Sequence, residues 1–311
     1  MDAHTRVTVT GASGLIGRAL VAELRARDVN VTVLSRKDPS RNPTMAALET
    51  IRWDPLSEPA PAAALAGRDA IVHLAGENVA QRWTAEAKRA IRESRVLGTR
   101  NLMAGLHAVQ AEARPKTILS ASASGYYGAH GEEPLDEDSP AGSDFLAETC
   151  VAWEGEAMKA SALGMRVLRV RTGVVLDRDG GALKKMLLPF RLGVGGPVAG
   201  GRQYISWIHR DDLVGLMTSA LDDERWSGPV NGTAPEPVTN REFSHALGQA
   251  LHRPSLLPVP GVALRLMYGE MAEIVTAGAR VMPAKALVLG YRFRHPQLGE
   301  ALRSALANSP A

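Results

Sequence analysis

A chain of 311 residues, 45% hydrophobic and 22% charged, has a globular composition and can bury a large core, in one big domain or two unequal ones. Its 36 basic residues, 29 of them Arg, stand against 33 acidic ones for a net charge of +3, and no long basic run appears, so nucleic acid is not an expected partner despite a pI near 9.1. A single cysteine, Cys150, excludes an intrachain disulfide and a Cys-based zinc site. The absence of any stretch of 18 apolar residues, of a leader core and of a transit pattern leads to the expectation of no membrane partner and a cytoplasmic location.

Through the first half, short β-branched runs alternate with helical stretches, the pattern of an α/β fold built on a parallel sheet. Residues 7–10 predict a first strand, and 15–27 an amphipathic helix with Leu15, Ala19, Ala22 and Leu24 inward. Strands follow at 29–34, 50–53 and 70–74. A helical region over 84–109 carries Gly98 and Gly105, where a break or bend is expected. Residues 117–120 predict a fifth strand, 145–163 a helix and 166–171 a sixth strand. Gly and Pro then crowd residues 179–201, which suits loops that leave a sheet to cover a ligand. Residues 205–221 read as a strand running into a helix near Asp211 and Asp212, and short apolar segments with Pro-rich turns from Pro229 onward predict a smaller second domain.

The motif with the most chemistry is Thr10-Gly11-Ala12-Ser13-Gly14-Leu15-Ile16-Gly17, between the first strand and first helix. Gly11 permits a tight turn, Gly14 lets the backbone approach a pyrophosphate, and Gly17 allows close helix–strand packing. Ser13, Leu15 and Ile16 complete a loop whose helix N-terminus offers free N–H donors to phosphates. The spacing is G-x-x-G-x-x-G, so it is the flanking strand and helix that set it apart from a plain turn. Dinucleotide sites that take NAD place an acid about 20 residues further on, for the ribose 2′-OH. Here Leu34 is followed by Ser35-Arg36-Lys37, with no acid before Asp38. A carboxylate would repel a 2′-phosphate, whereas a guanidinium forks onto it. The expected cofactor is NADP(H); a solvated Arg36 is the alternative.

These features, with TGASGLIG, VLSRK, IVHLAGENVAQRWT, SASASGYYG, RVLRVRTGVVL, LLPFRLGVGGPVAGGRQYISWIHRDDL and VNGTAPEPVTNREF, span nearly the whole chain. They resemble the extended short-chain dehydrogenase/reductases, and more narrowly an atypical subgroup like the NAD(P)-dependent epimerase/dehydratases. The resemblance implies a doubly wound parallel-sheet Rossmann fold with a smaller C-terminal substrate domain. In that division residues 1–178 bind NADP, with 205–228 returning to them, and 179–204 plus 229–311 form the smaller unit. It further implies that Leu74, Ala75 and Gly76 line the adenosine side, that Arg95 approaches the cofactor, and that Gly173 to Val175 pass under the nicotinamide. Asp54 would face the adenine, although an Asp-Pro turn explains it equally.

Extended members use Ser, Tyr and Lys; the Lys is needed because a free Tyr titrates near pKa ~10 and is a poor base at neutral pH. Ser122 matches the Ser position and Ser124 a common substrate-contact position. Where Tyr-x-x-x-Lys should open the next helix, the chain has Phe145 and Thr149. Tyr126, Tyr127, Glu148 and Cys150 are nearby, with Tyr126 the candidate acid. Arg191 and Arg202 are candidates for the substrate, by analogy with members that grip a nucleotide diphosphate. His209 reads as structural, Asp212 as a helix cap, and no His/Asp/Glu cluster has metal-ligand spacing. The tail from about Pro258 covers the cleft or meets a partner, and a homodimer stays open. Two functions fit: an NADP(H)-dependent oxidoreductase or epimerase acting on a small molecule, of which a nucleotide-sugar-like compound is one candidate, or an inactive NADP(H)-sensing protein on the same scaffold. Ser122 and the Gly/Arg-rich loops favour the enzyme.

Overall fold

The computed structural model describes residues 5–36 and 48–307. Strand β1 (Arg6–Thr10) runs through the Gly-rich turn into α1 (Leu15–Ala26), followed by β2 (Asn30–Ser35), β3 (Glu49–Arg52), β4 (Ala70–His73) and the long α2 (Ala85–Ala108). Next come β5 (Thr117–Ala123), the short β6 (Pro134–Leu135), α3 (Phe145–Met158) and β7 (Arg166–Thr172). After them lie β8 (Val174–Leu176), α4 (Gly181–Arg191), β9 (Tyr204–Ile205), β10 (Trp207–His209), α5 (Arg210–Asp222) and β11 (Gly228–Gly232). The chain continues with β12 (Val238–Thr239), α6 (Asn240–Leu251), α7 (Gly261–Tyr268), α8 (Ala272–Thr276), β13 (Arg280–Val281), α9 (Ala284–Val288) and α10 (Leu298–Ala307).

Seven strands form one parallel sheet in the order β3-β2-β1-β4-β5-β7-β11. The order reverses between β1 and β4, so helices cover both faces and the carboxyl ends part at that point, where doubly wound sheets bind ligands. Inner strands are buried on both faces, which is why they read as unbroken apolar runs such as Val7, Val9, Ile71, Val72, Ile118 and Leu119. On one face Leu20, Val21 and Leu24 of α1 join Leu213, Leu216 and Met217 of α5. On the other, Leu102, Met103 and Leu106 of α2 pack with Trp53 and Leu65. A third cluster ties α4, α6 and α10 together through Leu187, Phe190, Phe243, Leu247 and Leu302. Among the described residues no helix is long and apolar enough to cross a membrane.

Four expectations change. Helix α2 is unbroken, because its glycines serve close packing: a Cβ on Gly105 would overlap the Ala60 carbonyl oxygen. Helix α3 stops at Met158 and tightens into a 3-10 turn, Lys159–Leu163. Strand β11 carries the main sheet to Gly232, four residues past the expected return. Finally, His209 caps α5, its Nδ1 accepting from the Asp211 N–H at 3.1 Å. Asp212 is instead fully buried, accepting from the N–H groups of Arg294 (2.6 Å) and His295 (2.9 Å), while Tyr291 donates its hydroxyl to the Asp212 carbonyl. Burial raises the Asp212 carboxyl pKa, partly opposed by those two N–H groups.

Asp212 thereby holds the C-terminal segment, including Tyr291 and Phe293, against the α5 core. Asp212→Ala leaves two donors unpaired at about 1–3 kcal/mol each, so a loss of roughly 2–6 kcal/mol is expected in urea unfolding. Asp212→Asn, which keeps one acceptor, should lose about half as much. Full stability in the alanine variant would mean that water replaces the carboxylate.

Candidate functional site

The turn between β1 and α1 is pressed onto the loop after β4. Gly11 adopts φ +70°, and a Cβ there would lie 2.6 Å from the Leu74 carbonyl carbon; a Cβ on Gly17 would overlap the Gly11 oxygen. Gly14 differs. It is exposed, and its Cβ would meet only the Gly11 oxygen, at 3.2 Å, so nothing inside the protein demands a glycine. It opens α1, which has no side-chain cap and no acid in its first turn. The amide donors and positive end of the helix dipole are therefore available to an anion. Ser13 is exposed beside them, Ile16 packs on the core, and Leu15 lies under the Gly180 turn.

The facing loop is pinned by polar contacts. The Thr10 hydroxyl accepts from the Leu74 and Ala75 N–H groups, 3.2 Å each, so its own proton goes to His73 Nδ1 at 2.8 Å. That leaves Nε2–H to donate to Thr99 at 3.0 Å, and burial lowers the His73 pKa to about 4, keeping the ring neutral. Gly76 sits over the Arg95 guanidinium, which donates to the Glu77 and Ile91 carbonyls and lies 5.2 Å from the Trp153 ring. Arg95 thus props the loop from beneath. At the end of β2, Ser35 is half-buried and Arg36 exposed; Lys37 lies outside the described residues. The Asp54 carboxylate accepts from the Leu56 N–H at 3.1 Å, the turn alternative noted from the sequence.

The serine positions differ from expectation. Strand β5 runs to Ala123, and alternation turns Ser122 inward, where it donates to Glu154 at 2.7 Å. Glu154 also receives Arg171 through Nε (2.8 Å) and Nη2 (3.0 Å), and Arg169 at 3.0 Å. Arg171 continues to the Tyr127 hydroxyl, which donates to Asn231 at 2.7 Å, and burial pushes the Tyr127 phenol up to about 12. Ser122 therefore belongs to a buried charge network. Ser124, half-buried at the head of the turn Ser124–Tyr127, is the serine at the open end of the strand. Tyr126 is half-buried too, its ring 3.4 Å from Arg171 Cζ, and its hydroxyl has no hydrogen bond among the described residues.

Asp144 caps α3 by accepting from the Leu146 and Ala147 N–H groups, which sets Phe145 and Thr149 one turn apart. Phe145 meets the edge of Trp83 at 5.1 Å, with the Lys88 ammonium 4.9 Å from its ring. Thr149 is buried and donates to the Phe145 carbonyl at 2.7 Å. Burial pushes the Cys150 thiol up to about 11, so it is no ready nucleophile; Glu148 is exposed. Gly173 has no room for a side chain against the Ser206 carbonyl, and Val175 lies in β8, paired with Ile208. Arg191 and Arg202 are both exposed.

Topology brings together groups that spacing kept apart. His295 stacks on His209 with ring centroids 3.9 Å apart, and with Asp211 they offer ligand atoms within 4.8 Å of one another. His209 Nδ1 is committed to the Asp211 N–H and Asp211 to Arg210, while His209 Nε2 is buried without a hydrogen-bond partner among the described residues. Burial, then His295, lowers His209 to about 4. Trp83 and Lys88 meet at Phe145, and separately Arg280 meets Tyr204 while His130 donates its N–H to the Gly278 carbonyl, pairings without any local sequence signal. An open cleft of about 460 Å³ beside Asp222, Trp226 and Tyr291 lies at the far end of α5, away from the carboxyl ends of the strands.

A phosphate-ready turn at the reversal point of a seven-stranded parallel sheet defines a Rossmann dinucleotide-binding protein of the extended short-chain dehydrogenase/reductase type. Residues 7–231 match the model of the NAD dependent epimerase/dehydratase family, and the chain belongs to that family. Residues 259–305 match a further model, a domain of unknown function (DUF1731). The chain is 41% identical over 313 residues to the chloroplastic epimerase family protein SDR39U1 homolog of Arabidopsis thaliana, covering 98% of this chain and 88% of that one. It is 42% identical over 302 residues to an epimerase family protein of Mycobacterium tuberculosis, covering 96% and 97%. Among solved structures, human epimerase family protein SDR39U1 with NADPH superposes with a TM-score of 0.84 at 36% identity, covering 98% of this chain and 100% of that one.

Proposed function

We propose that this protein is an NADP(H)-dependent oxidoreductase or epimerase acting on a small molecule. The observation that carries the cofactor reading is the bare, uncapped start of α1 at Gly14, with Arg36 and no acid in place at the end of β2. The NADPH bound to the human relative supports it. In this reading the pyrophosphate lies on Ser13 to Gly17, the 2′-phosphate on Ser35, Arg36 and Lys37, the adenosine along Leu74 to Gly76, and Gly173 to Val175 run under the nicotinamide. Residues 179–204 and those after Gly232 then form the substrate-facing unit. Bound NADP(H) supplies hydride exchange. The protein's part is to exclude water and to hold a proton, for which Ser124 and Tyr126 stand at the open end of β5. The usual Tyr–Lys dyad is replaced by Phe145 and Thr149.

A second reading, an NADP(H) sensor without turnover, draws on one feature: Ser122 and Thr149 spend their hydroxyls inside the protein. Turnover of any carbonyl or sugar substrate removes it.

Calorimetric titration tests the cofactor reading. A bidentate guanidinium–phosphate contact worth about 1.5–3 kcal/mol predicts roughly ten- to a hundredfold tighter binding of NADP than NAD. Arg36→Ala should erase most of that gap. Equal affinities in the wild type, or a preference for NAD, end the reading.

A further inference from the structure

We propose that Arg280, with Tyr204 and His130, forms an anion-binding subsite on the face of β13 turned away from the Tyr127–Val281 cluster, taking a carboxylate or phosphate group of the substrate. That the anion belongs to a substrate rests on the enzymatic reading above; the subsite itself does not.

Three distant segments build it. Strand β13 pairs with β6, setting Arg280 beside Pro134. On its other side, Ser206 donates its hydroxyl to the Ala279 carbonyl (2.7 Å) and accepts from the Val281 N–H (2.9 Å). The Gly278 backbone lies so close to Tyr204 that a Cβ would overlap the Tyr204 carbonyl oxygen, and His130 donates its N–H to the Gly278 carbonyl at 2.9 Å. The Arg280 backbone is therefore held rigidly. Val281 buries its side chain with Tyr127 and Leu135, so alternation sends the Arg280 side chain to the opposite face. There its guanidinium carbon lies 5.6 Å from the Tyr204 ring centroid, a cation–π contact.

What this guanidinium lacks is an anion. Arg280 Nε is buried without a partner, and no hydrogen bond or ion pair involves any of its nitrogens among the described residues. His130 Nδ1 is likewise buried and unpaired. Native structures leave few such donors unsatisfied, and those that remain call for an explanation. Two other arginines have an unpaired buried Nε, Arg68 and Arg169, yet each meets a carboxylate through another nitrogen, Glu49 and Glu154 respectively. Arg280 has none. Tyr126 and Ala279 pack on the cluster that Val281 faces, so the subsite lies across β13 from the Ser124–Tyr127 turn. A planar guanidinium held against an aromatic ring presents its fork to a carboxylate or phosphate, and the imidazole adds a second donor.

The test uses the full-length protein saturated with NADPH, so that the cofactor's own phosphate positions are filled, titrated with inorganic phosphate and separately with malonate at constant ionic strength. One of the two should bind, phosphate identifying a phosphoryl group and malonate a carboxylate. Arg280→Met should weaken that binding about tenfold or more, Arg280→Lys less, and Tyr204→Leu by roughly threefold, with the NADPH affinity unchanged. If neither anion binds, or if both arginine variants bind as the wild type does, the subsite is overturned. If NADPH itself fails to bind while anion binding still depends on Arg280, the cofactor reading falls and the subsite stands.

Discussion

The Gly14→Val protein is expected to fold normally and to lose NADPH. Gly14 sits at φ −73° and ψ 172°, an extended conformation that valine adopts freely, and its Cβ direction meets only one backbone oxygen, at 3.2 Å. The two methyl groups would therefore occupy space outside the protein, over the first turn of α1, where the proposed function lays the pyrophosphate. A loss of at least about a hundredfold in NADPH affinity, near 2.7 kcal/mol, should appear by calorimetry, with the unfolding midpoint little changed. Gly17→Ala is the contrasting control: its methyl would overlap the Gly11 oxygen, so folding itself should fail. Normal NADPH binding by the valine variant would place the pyrophosphate elsewhere.

The largest effect on stability should come from Glu154→Ala. Glu154 and Arg171 are 4% and 3% exposed, and the carboxylate stands between two guanidiniums while accepting from Ser122. Burial alone would lower the Arg171 pKa, but its hydrogen bonds and charge attraction to Glu154 prevail and raise it. Deleting the acid leaves a buried cation without a counter-charge, and breaking such a pair costs about 3–5 kcal/mol. The loss should spread to Tyr127, which shares Arg171, and show as a lower urea midpoint. Glu154→Leu combined with Arg171→Met should recover most of it, since apolar replacement of a whole buried pair is often neutral. A loss under about 1 kcal/mol in the single variant would mean that water reaches the pair.

The parallel sheet was legible because its strands are buried on both faces and so are spelled in β-branched runs, and the Gly11–Gly17 turn because each glycine has its own geometric task. Misreadings arose where one residue type serves two purposes. Gly105 was expected to bend α2, but a helix also needs glycine to lie close to a neighbouring carbonyl. Ser122 matches the family's serine position, yet it donates inward to Glu154, a partner 32 residues away on α3 that local spacing does not announce. The grip of Asp212 on residues 294 and 295, and the meeting of His130, Tyr204 and Arg280, were invisible because the folded topology, not local spacing, makes them neighbours.

The hold of Asp212 on the C-terminal segment also governs when this protein can complete its fold. All seven strands of the sheet have been synthesised by Gly232, yet the α5 core still lacks Ala286, Tyr291 and Phe293. While the ribosome makes the intervening stretch, a nascent sheet carries an uncovered apolar helix face and a buried-to-be carboxylate with nothing to accept from. Chains halted between these points should be the aggregation-prone, chaperone-dependent species on the way to the native protein.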